Sequence, residues 1–454
     1  MKQFLQAFTA FILLLSGSIS AQSLEQKYSV YRQRLIHEFM LGVGSGFGES
    51  LPASSRNTFD RTYNGHHTIK WGDATIDLAY YMAVLATEYK LLQMNGKNTD
   101  STVRELYYAL EAFNRLDYYA EEYFGAKPSL NGFFVRDDVG RGLYQGKSFN
   151  SAYNDVLKQI NSKAQYKISG EAPFRKDDLN KIESDWIHYF IDGKNKHFAM
   201  SKDQTFHLFI AAACIVKCIP ETTTYGDKKF LDGETSLHAE AIKITARIID
   251  YMHLPQKSNV FFNWRVRMPD GKKTGSGYNA WTYARGLSLV ENKVAQKKNP
   301  RQRGISWFLA KLMYNFTWTA FRPIFFFNQS EGSKTLSLVV ANNSAAGNAD
   351  KVYRYSHMYS RYPNIHIPML FHFLYNKKAK ALDYKSIQKL LEQAPLQGPN
   401  NYSELPANQR NYNWSSTSIT MHPQRRGSLR PDFPGYYNGL DFMLLYNLWR
   451  LGRG

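Results

Sequence analysis

The chain of 454 residues is 43% hydrophobic and 15% aromatic, and its 57 Lys and Arg outnumber 38 Asp and Glu for a formal charge of +19. Apolar content at that level supports a large core and excludes a disordered or collagen-like chain, while the basic excess points to an anionic partner. Two cysteines, Cys214 and Cys218, are too few for a disulfide framework or a cysteine zinc site; one turn apart in an apolar helical stretch, they read as buried thiols.

In chain order, the first segment reads as an export signal over 1–21. Lys2 is the positive start, 8–15 the apolar centre, and Ser18-Ile19-Ser20-Ala21 the small residues before a cleavage point near Gln22. The expectation is a secreted or periplasmic protein whose residues 22–454 form one domain. No later segment keeps the roughly 18 uninterrupted apolar residues of a transmembrane span. The nearest approach, 305–327, is broken by Lys311, Asn315 and Arg322.

Helical spacing is predicted over 24–40, then over 73–94, where the turn Asn95-Gly96-Lys97-Asn98 and a capping box at Thr102-Val103-Arg104-Glu105 open a second helix to 124. A second hairpin repeats the plan. Ser201-Lys202-Asp203-Gln204 caps a helix to 219, and Gly226 and Gly233 mark the turn to a helix over 234–253. Further helices are predicted over 152–161, 178–191, 279–296, 305–321, 357–375, 384–394 and 437–451, and short strands over 132–135, 260–266 and 335–340. Two irregular stretches, 130–144 and 397–434, have the composition of loops that wall a site. Successive antiparallel hairpins without a βαβ pattern predict an all-α fold, an (α/α) toroid of five or six hairpins with minor strands.

Four of the predicted helices open on a polar cluster before turning apolar. The clusters are Trp71-Gly72-Asp73 with Asp77, Ser201 to Gln204 with His207, Tyr355-Ser356-His357 with Arg361, and Tyr437-Asn438-Gly439 with Asp441. Ordinary core helices scatter their polar groups along an outer face, so this placement suggests helix starts that share a rim. Asp73 is either a helix cap or an acid/base group, whereas Asp77, four residues on and on the same face, is harder to explain as a cap. Arg136 beside Asp137 and Asp138 reads either as a local ion pair or as a carboxylate clamp with catalytic acids. His357 with Tyr355 suits proton abstraction beside a uronate carboxylate that Arg361 neutralises. Trp414 and His422 lie in the second irregular stretch, where they can cover a site end. The pairs Asp203 with His207 and Asp185 with His188 match no recognised zinc motif, so no metal and no other cofactor is expected. Gly42 to Gly48 lacks the ending of a phosphate loop.

The hairpin plan, Trp71-Gly72-Asp73 before a helix, and the closing Tyr436-Tyr437-Asn438-Gly439-Leu440-Asp441 resemble the secreted (α/α) toroid proteins of bacterial glycan degradation. The Trp-x-Asp element is similar to the catalytic-aspartate segment of unsaturated glucuronyl hydrolases, and that resemblance implies Asp73 as acid/base. The expected function is a glycoside hydrolase or polysaccharide lyase acting on an acidic poly- or oligosaccharide, with no nucleic-acid partner. Asp73, Asp77, Asp137 and Asp138 serve a hydrolase; His357 and Tyr355 serve a lyase. Trp71, Arg136, Asp203, Gln204, His207, Arg361, Trp414, His422, Asn438 and Asp441 hold substrate. The alternatives are a noncatalytic glycan-binding protein and a protein of anionic membrane surfaces, whose aromatic helix over 305–327 follows a basic run. The pattern does not fix an oligomeric state.

Overall fold

A computed structural model describes residues 23–40, 51–52, 55–56, 68–70, 74–121, 126–136, 139–140, 167–168, 186–187, 200–252, 265–269, 271, 273–277, 294–296, 366–375, 383–392, 394 and 436–453. These residues are predominantly helical. The helices are α1 (Leu24–Arg34, continued by a π-helical turn Leu35–Phe39), α2 (Ala74–Met94), α3 (Asp100–Tyr118), α4 (Lys202–Cys218), α5 (Leu237–Met252), α6 (His366–Tyr375), α7 (Tyr384–Glu392) and α8 (Leu440–Leu451). None of them is long and apolar enough to cross a membrane. The predicted signal, the helices over 152–161 and 305–321, most of 279–296, the strand over 335–340 and the loop 397–434 lie outside the described residues.

Helix α2 is the centre of the packing. Its sequence is rich in Ala, Leu, Tyr and Met with no Gly or Pro, which favours a long helix. It is buried nearly all round, from Ala74 through Ala86, against α4, α8 and α3. Small residues on it and on α4 (Ala79, Ala83, Ala86; Ala211, Ala212) permit close approach of the two axes. The α2 end is a Schellman cap: Gly96 at φ +63° donates to the Gln93 carbonyl, and Lys97 N–H reaches Leu92 at 2.9 Å. The chain returns as α3, antiparallel, with Thr102 opposite Glu88 and Glu105 opposite Tyr81.

The capping box predicted at Thr102 and Glu105 does not form, because both side chains are engaged elsewhere and α3 starts earlier, at Asp100. Thr102 donates to Glu88 (2.9 Å), and Glu105 accepts from Tyr81 and from Arg32 at 2.9 and 3.0 Å. Arg32 also donates to Glu88 through Nε (2.8 Å) and Nη2 (3.1 Å). Burial pushes the Glu88 carboxyl up, but Arg32 and the donors around it more than offset this and hold it below the ordinary range. The arrangement ties α1, α2 and α3 by one guanidinium between two carboxylates.

Around this centre, α5 begins beside the end of α4, where His238 Nδ1 lies 2.8 Å from the Ile219 carbonyl. Cys214 and Cys218 on α4 are buried free thiols, and burial pushes Cys218 up to about 12. Lys27 of α1 caps the end of α7, donating to the Glu392, Ala394 and Leu391 carbonyls at 2.7, 3.0 and 3.2 Å.

Strands are two to five residues long. Four form one small sheet in the order Lys167–Ile168, Thr68–Lys70, Ser55–Arg56, Tyr436–Tyr437, the first pair parallel and the others antiparallel. Lys70 and Tyr437 both pair with Ser55, so the segments entering α2 and α8 are held on either side of one strand. Tyr437 is thus strand rather than helix, and Trp186–Ile187, within a predicted helix, pairs with Val139–Gly140. Arg265–Arg267, the end of the strand expected over 260–266, pairs with Lys273–Gly277. The strand expected over 132–135 is reduced to a single bridge residue, Val135, whose N–H donates to the Leu116 carbonyl, while the Phe134 carbonyl accepts from Met200 N–H.

Residues 131–136 are locked onto α3 and α5. Asp117 accepts from the Asn131 and Gly132 N–H groups (3.0 and 2.8 Å) and from Arg247 Nε (3.0 Å). Gly132 sits at φ +89°, and a Cβ there would overlap the Arg247 carbonyl. Gly132→Ala therefore combines backbone strain with a clash against α5, and we expect a loss of ~3 kcal/mol or more. Gly96→Ala, at φ +63° but facing open space, should cost about 1 kcal/mol. Denaturant midpoints of the two variants check the difference.

Burial raises Asp117 to about 6 and Glu121 and Glu240 to about 7, with Arg247 opposing the rise at Asp117 and Glu240. Unfolded carboxyls lose their protons near pH 4, so the folded state holds protons the unfolded state has released. This contribution is complete below about pH 4 and fades as pH rises through about 7. Glu240→Gln removes one such titration, and its stability relative to wild type should rise from about pH 4 to about pH 8 in urea melts.

Candidate functional site

Helices α2, α4, α6 and α8 run parallel and start at the same end. Asn438 Nδ2, just before α8, donates to Asp77 Oδ1 in the first turn of α2 at 2.7 Å, and farther along Asn447 Nδ2 reaches the Val84 carbonyl and Thr87 Oγ1, each at 3.2 Å. Tyr80 of α2 lies against His207 of α4 with ring centres 5.3 Å apart, and the ends of the same helices bring Lys90 near Cys218. His366 Nε2, at the start of α6, lies 2.8 Å from the Asp441 carbonyl, while at the far end Lys217 of α4 donates to the Leu374 carbonyl at 3.2 Å.

Each start is fixed locally. Asn438 Oδ1 accepts from Leu440 N–H (3.1 Å), Gly439 takes the left-handed backbone at φ +76° under the Tyr31 ring, and Asp441 Oδ1 accepts from Phe442 N–H (2.7 Å). On α4, Gln204 Oε1 reaches back to Ser201 N–H at 2.9 Å, the reciprocal bond of the predicted capping box. Residues 131–136 brace two starts together. The Arg136 carbonyl accepts from Thr75 N–H (3.0 Å) and from the Thr75 hydroxyl, and the Phe134 carbonyl accepts from Met200 N–H (2.9 Å).

The candidate residues within the described part fall at this end of the bundle. Asp77, Asn438, Asp441 and His207 are between 2% and 4% exposed, Gln204 is buried, and Arg136 is half-buried beside the α2 start. Asp203 lies in the first turn of α4. Trp71, Asp73, Asp137, Asp138, Tyr355, His357, Arg361, Trp414 and His422 lie outside the described residues. The structure thus brings Asp77 to Asn438, and His366 to Asp441. Tyr80, beside His207, was not singled out in the sequence, although its place three residues after Asp77, on the same face, is the signal that finds it.

Chemically, the set joins carboxylates, imidazoles, a phenol and an amide at the start of four parallel helices. The first three can move protons, and the aligned peptide dipoles at helix starts favour negative charge. Among the described residues no group of three or more His, Cys, Asp or Glu side chains is arranged to hold a metal ion.

The Asp77–Asn438 bond makes a directional test possible. Asn438→Ala removes a buried donor from a carboxylate and should cost about 1–3 kcal/mol. Asn438→Asp places a second carboxylate against Asp77, and its loss should be larger at neutral pH and shrink on acidification, read by thermal melts across pH. In comparisons with known proteins, no protein-family model, no curated protein and no solved structure matches the chain.

Proposed function

We propose that the chain is an exported protein that acts on an acidic poly- or oligosaccharide at the end where α2, α4, α6 and α8 start, and that its hairpins close as an (α/α) toroid with these four helices on the inside. The observation that carries the reading is the convergence of Asp77, Asn438, His207 and Asp441, from three helices far apart in sequence, at one end of parallel helices. Four helix starts facing one way favour an anionic ligand, as does the charge of +19. In this reading Asp77 works with Asp73 as the acid/base pair of a hydrolase, with Asp137 and Asp138 as further carboxylates. His357 with Tyr355 is the corresponding pair of a lyase, with Arg136 and Arg361 on the uronate carboxylate. Trp71, Asp203, Gln204, Trp414 and His422 complete the substrate contacts.

One observation favours a noncatalytic glycan-binding protein as the second reading. Asp77 is held by Asn438, and Asp441 by its own helix N–H, which are structural uses of the same groups. The test is incubation of the purified mature chain with uronic-acid and sulfated polysaccharides and their unsaturated oligosaccharides, following ultraviolet absorbance of the unsaturated bond together with reducing ends. A rise in absorbance is elimination; a fall, or reducing ends alone, is hydrolysis. Binding without turnover moves the chain to the second reading, and neither binding nor turnover across the panel removes the proposal.

A further inference from the structure

A second concave site lies at the other end of α2. A cavity of about 410 Å³ opens between α1, the last turns of α2, the turn into α3, the start of α3 and the end of α8. Asp77 and Leu91, which lines the cavity, are fourteen residues apart on α2, about 20 Å along its axis. The cavity is therefore separate from the end where the four helices start.

We infer that this cavity binds a neutral polyhydroxylated ligand, a monosaccharide or disaccharide. The charge of its floor selects against ions. Glu88 accepts from the Tyr28 hydroxyl, from Arg32 Nε and Nη2, and from Thr102, so its lone pairs are occupied and a cationic ligand gains no acceptor there. Arg32 is shared with Glu105 behind the floor, and with Lys97 and Arg450 on the lining three cations face the three carboxylates Glu25, Glu88 and Glu105, so the site offers an ion no net charge. At the mouth Lys97 faces Glu25 at 3.6 Å, and both are largely exposed, so this pair is weak and adds no net charge.

The remaining surface suits hydroxyls and the apolar faces of a sugar ring. Tyr28 and Tyr446 stand with ring centres 5.0 Å apart on one wall, and Arg450 donates to the Tyr446 hydroxyl at 3.1 Å. Ser29, Asn95 and Ser101 lie exposed around the mouth, where each hydroxyl or amide both donates and accepts. The volume lies within the range of small-ligand pockets and is ample for one or two sugar units.

The experiment is isothermal titration of the full mature chain with glucose, galactose, mannose, maltose and cellobiose, with glucuronate and glucosamine as anionic and cationic controls. At least one neutral sugar should saturate with a Kd on the order of 1 mM or tighter, and any binding of the charged controls that the mouth variants weaken should be about tenfold weaker. Asn95→Trp and Ser101→Trp fill the mouth from exposed positions and should weaken binding about tenfold or more with the circular dichroism spectrum unchanged. No neutral sugar bound, neutral-sugar binding unchanged in both tryptophan variants, or glucuronate bound as tightly as the neutral sugars and weakened by the same two variants each overturns the inference. Acidic-glycan turnover measured in the same variants reads the opposite end of α2, so the two proposals fail separately.

Discussion

Helix α2 has almost no solvent face over its first four turns, so the polar groups it carries there must find partners in other helices. A buried carboxylate, hydroxyl or phenol left without one costs on the order of 1–3 kcal/mol. Asp77 is answered by Asn438, Thr87 by Asn447 and its own helix carbonyls, and Tyr81 by Glu105. Those answers fix where α8 and α3 lie along α2 and how each is rotated. Apolar packing supplies the bulk of the burial, yet it does not by itself distinguish one register from the next; the polar bonds do.

The same logic separates the two ends of the bundle. At the far end, charges are buried together, with Arg32 between Glu88 and Glu105 and hydroxyls filling further acceptor positions. Breaking such a set by removing one member strands the others, so its value is in specifying how α1, α2 and α3 meet. At the end where the parallel helices start, the groups are held in pairs, and the braces are backbone: the small sheet ahead of α2 and α8, and residues 131–136 between the starts of α2 and α4. Backbone braces position these helix starts without drawing on the rim side chains.

Much of the helical order was legible in the sequence because long apolar-periodic segments with explicit stops announce themselves. Asn95-Gly96 ended α2 as read, and Ser201 with Gln204 opened α4. The α3 start was misplaced because Thr102 and Glu105 have the right spacing for a capping box but are drawn into Arg32 and Glu88, residues no local pattern connects to them. Two- and three-residue strands carry no alternation, so Tyr437 and Trp186–Ile187 fall within predicted helices. Of the candidate site, the idea that helix starts gather was readable from their polar openings. The Asp77–Asn438 pairing was not, because nothing in either segment names its partner 361 residues away.

That separation has a counterpart in how the chain must reach this state. Asp77 with Asn438, Lys27 with the carbonyls ending α7, and the Tyr31 ring over Gly439 and against Phe442 all join the early part of the chain to its last seventh. Loop closure over such spans is slow and gains nothing until both ends are present. A chain emerging from its N-terminus can form the α2–α3 hairpin early, but α2 keeps one flank open until α8 arrives. Packing of this flank is thus deferred until residues 440–451 are present, with α8 acting as the step that completes the burial of α2.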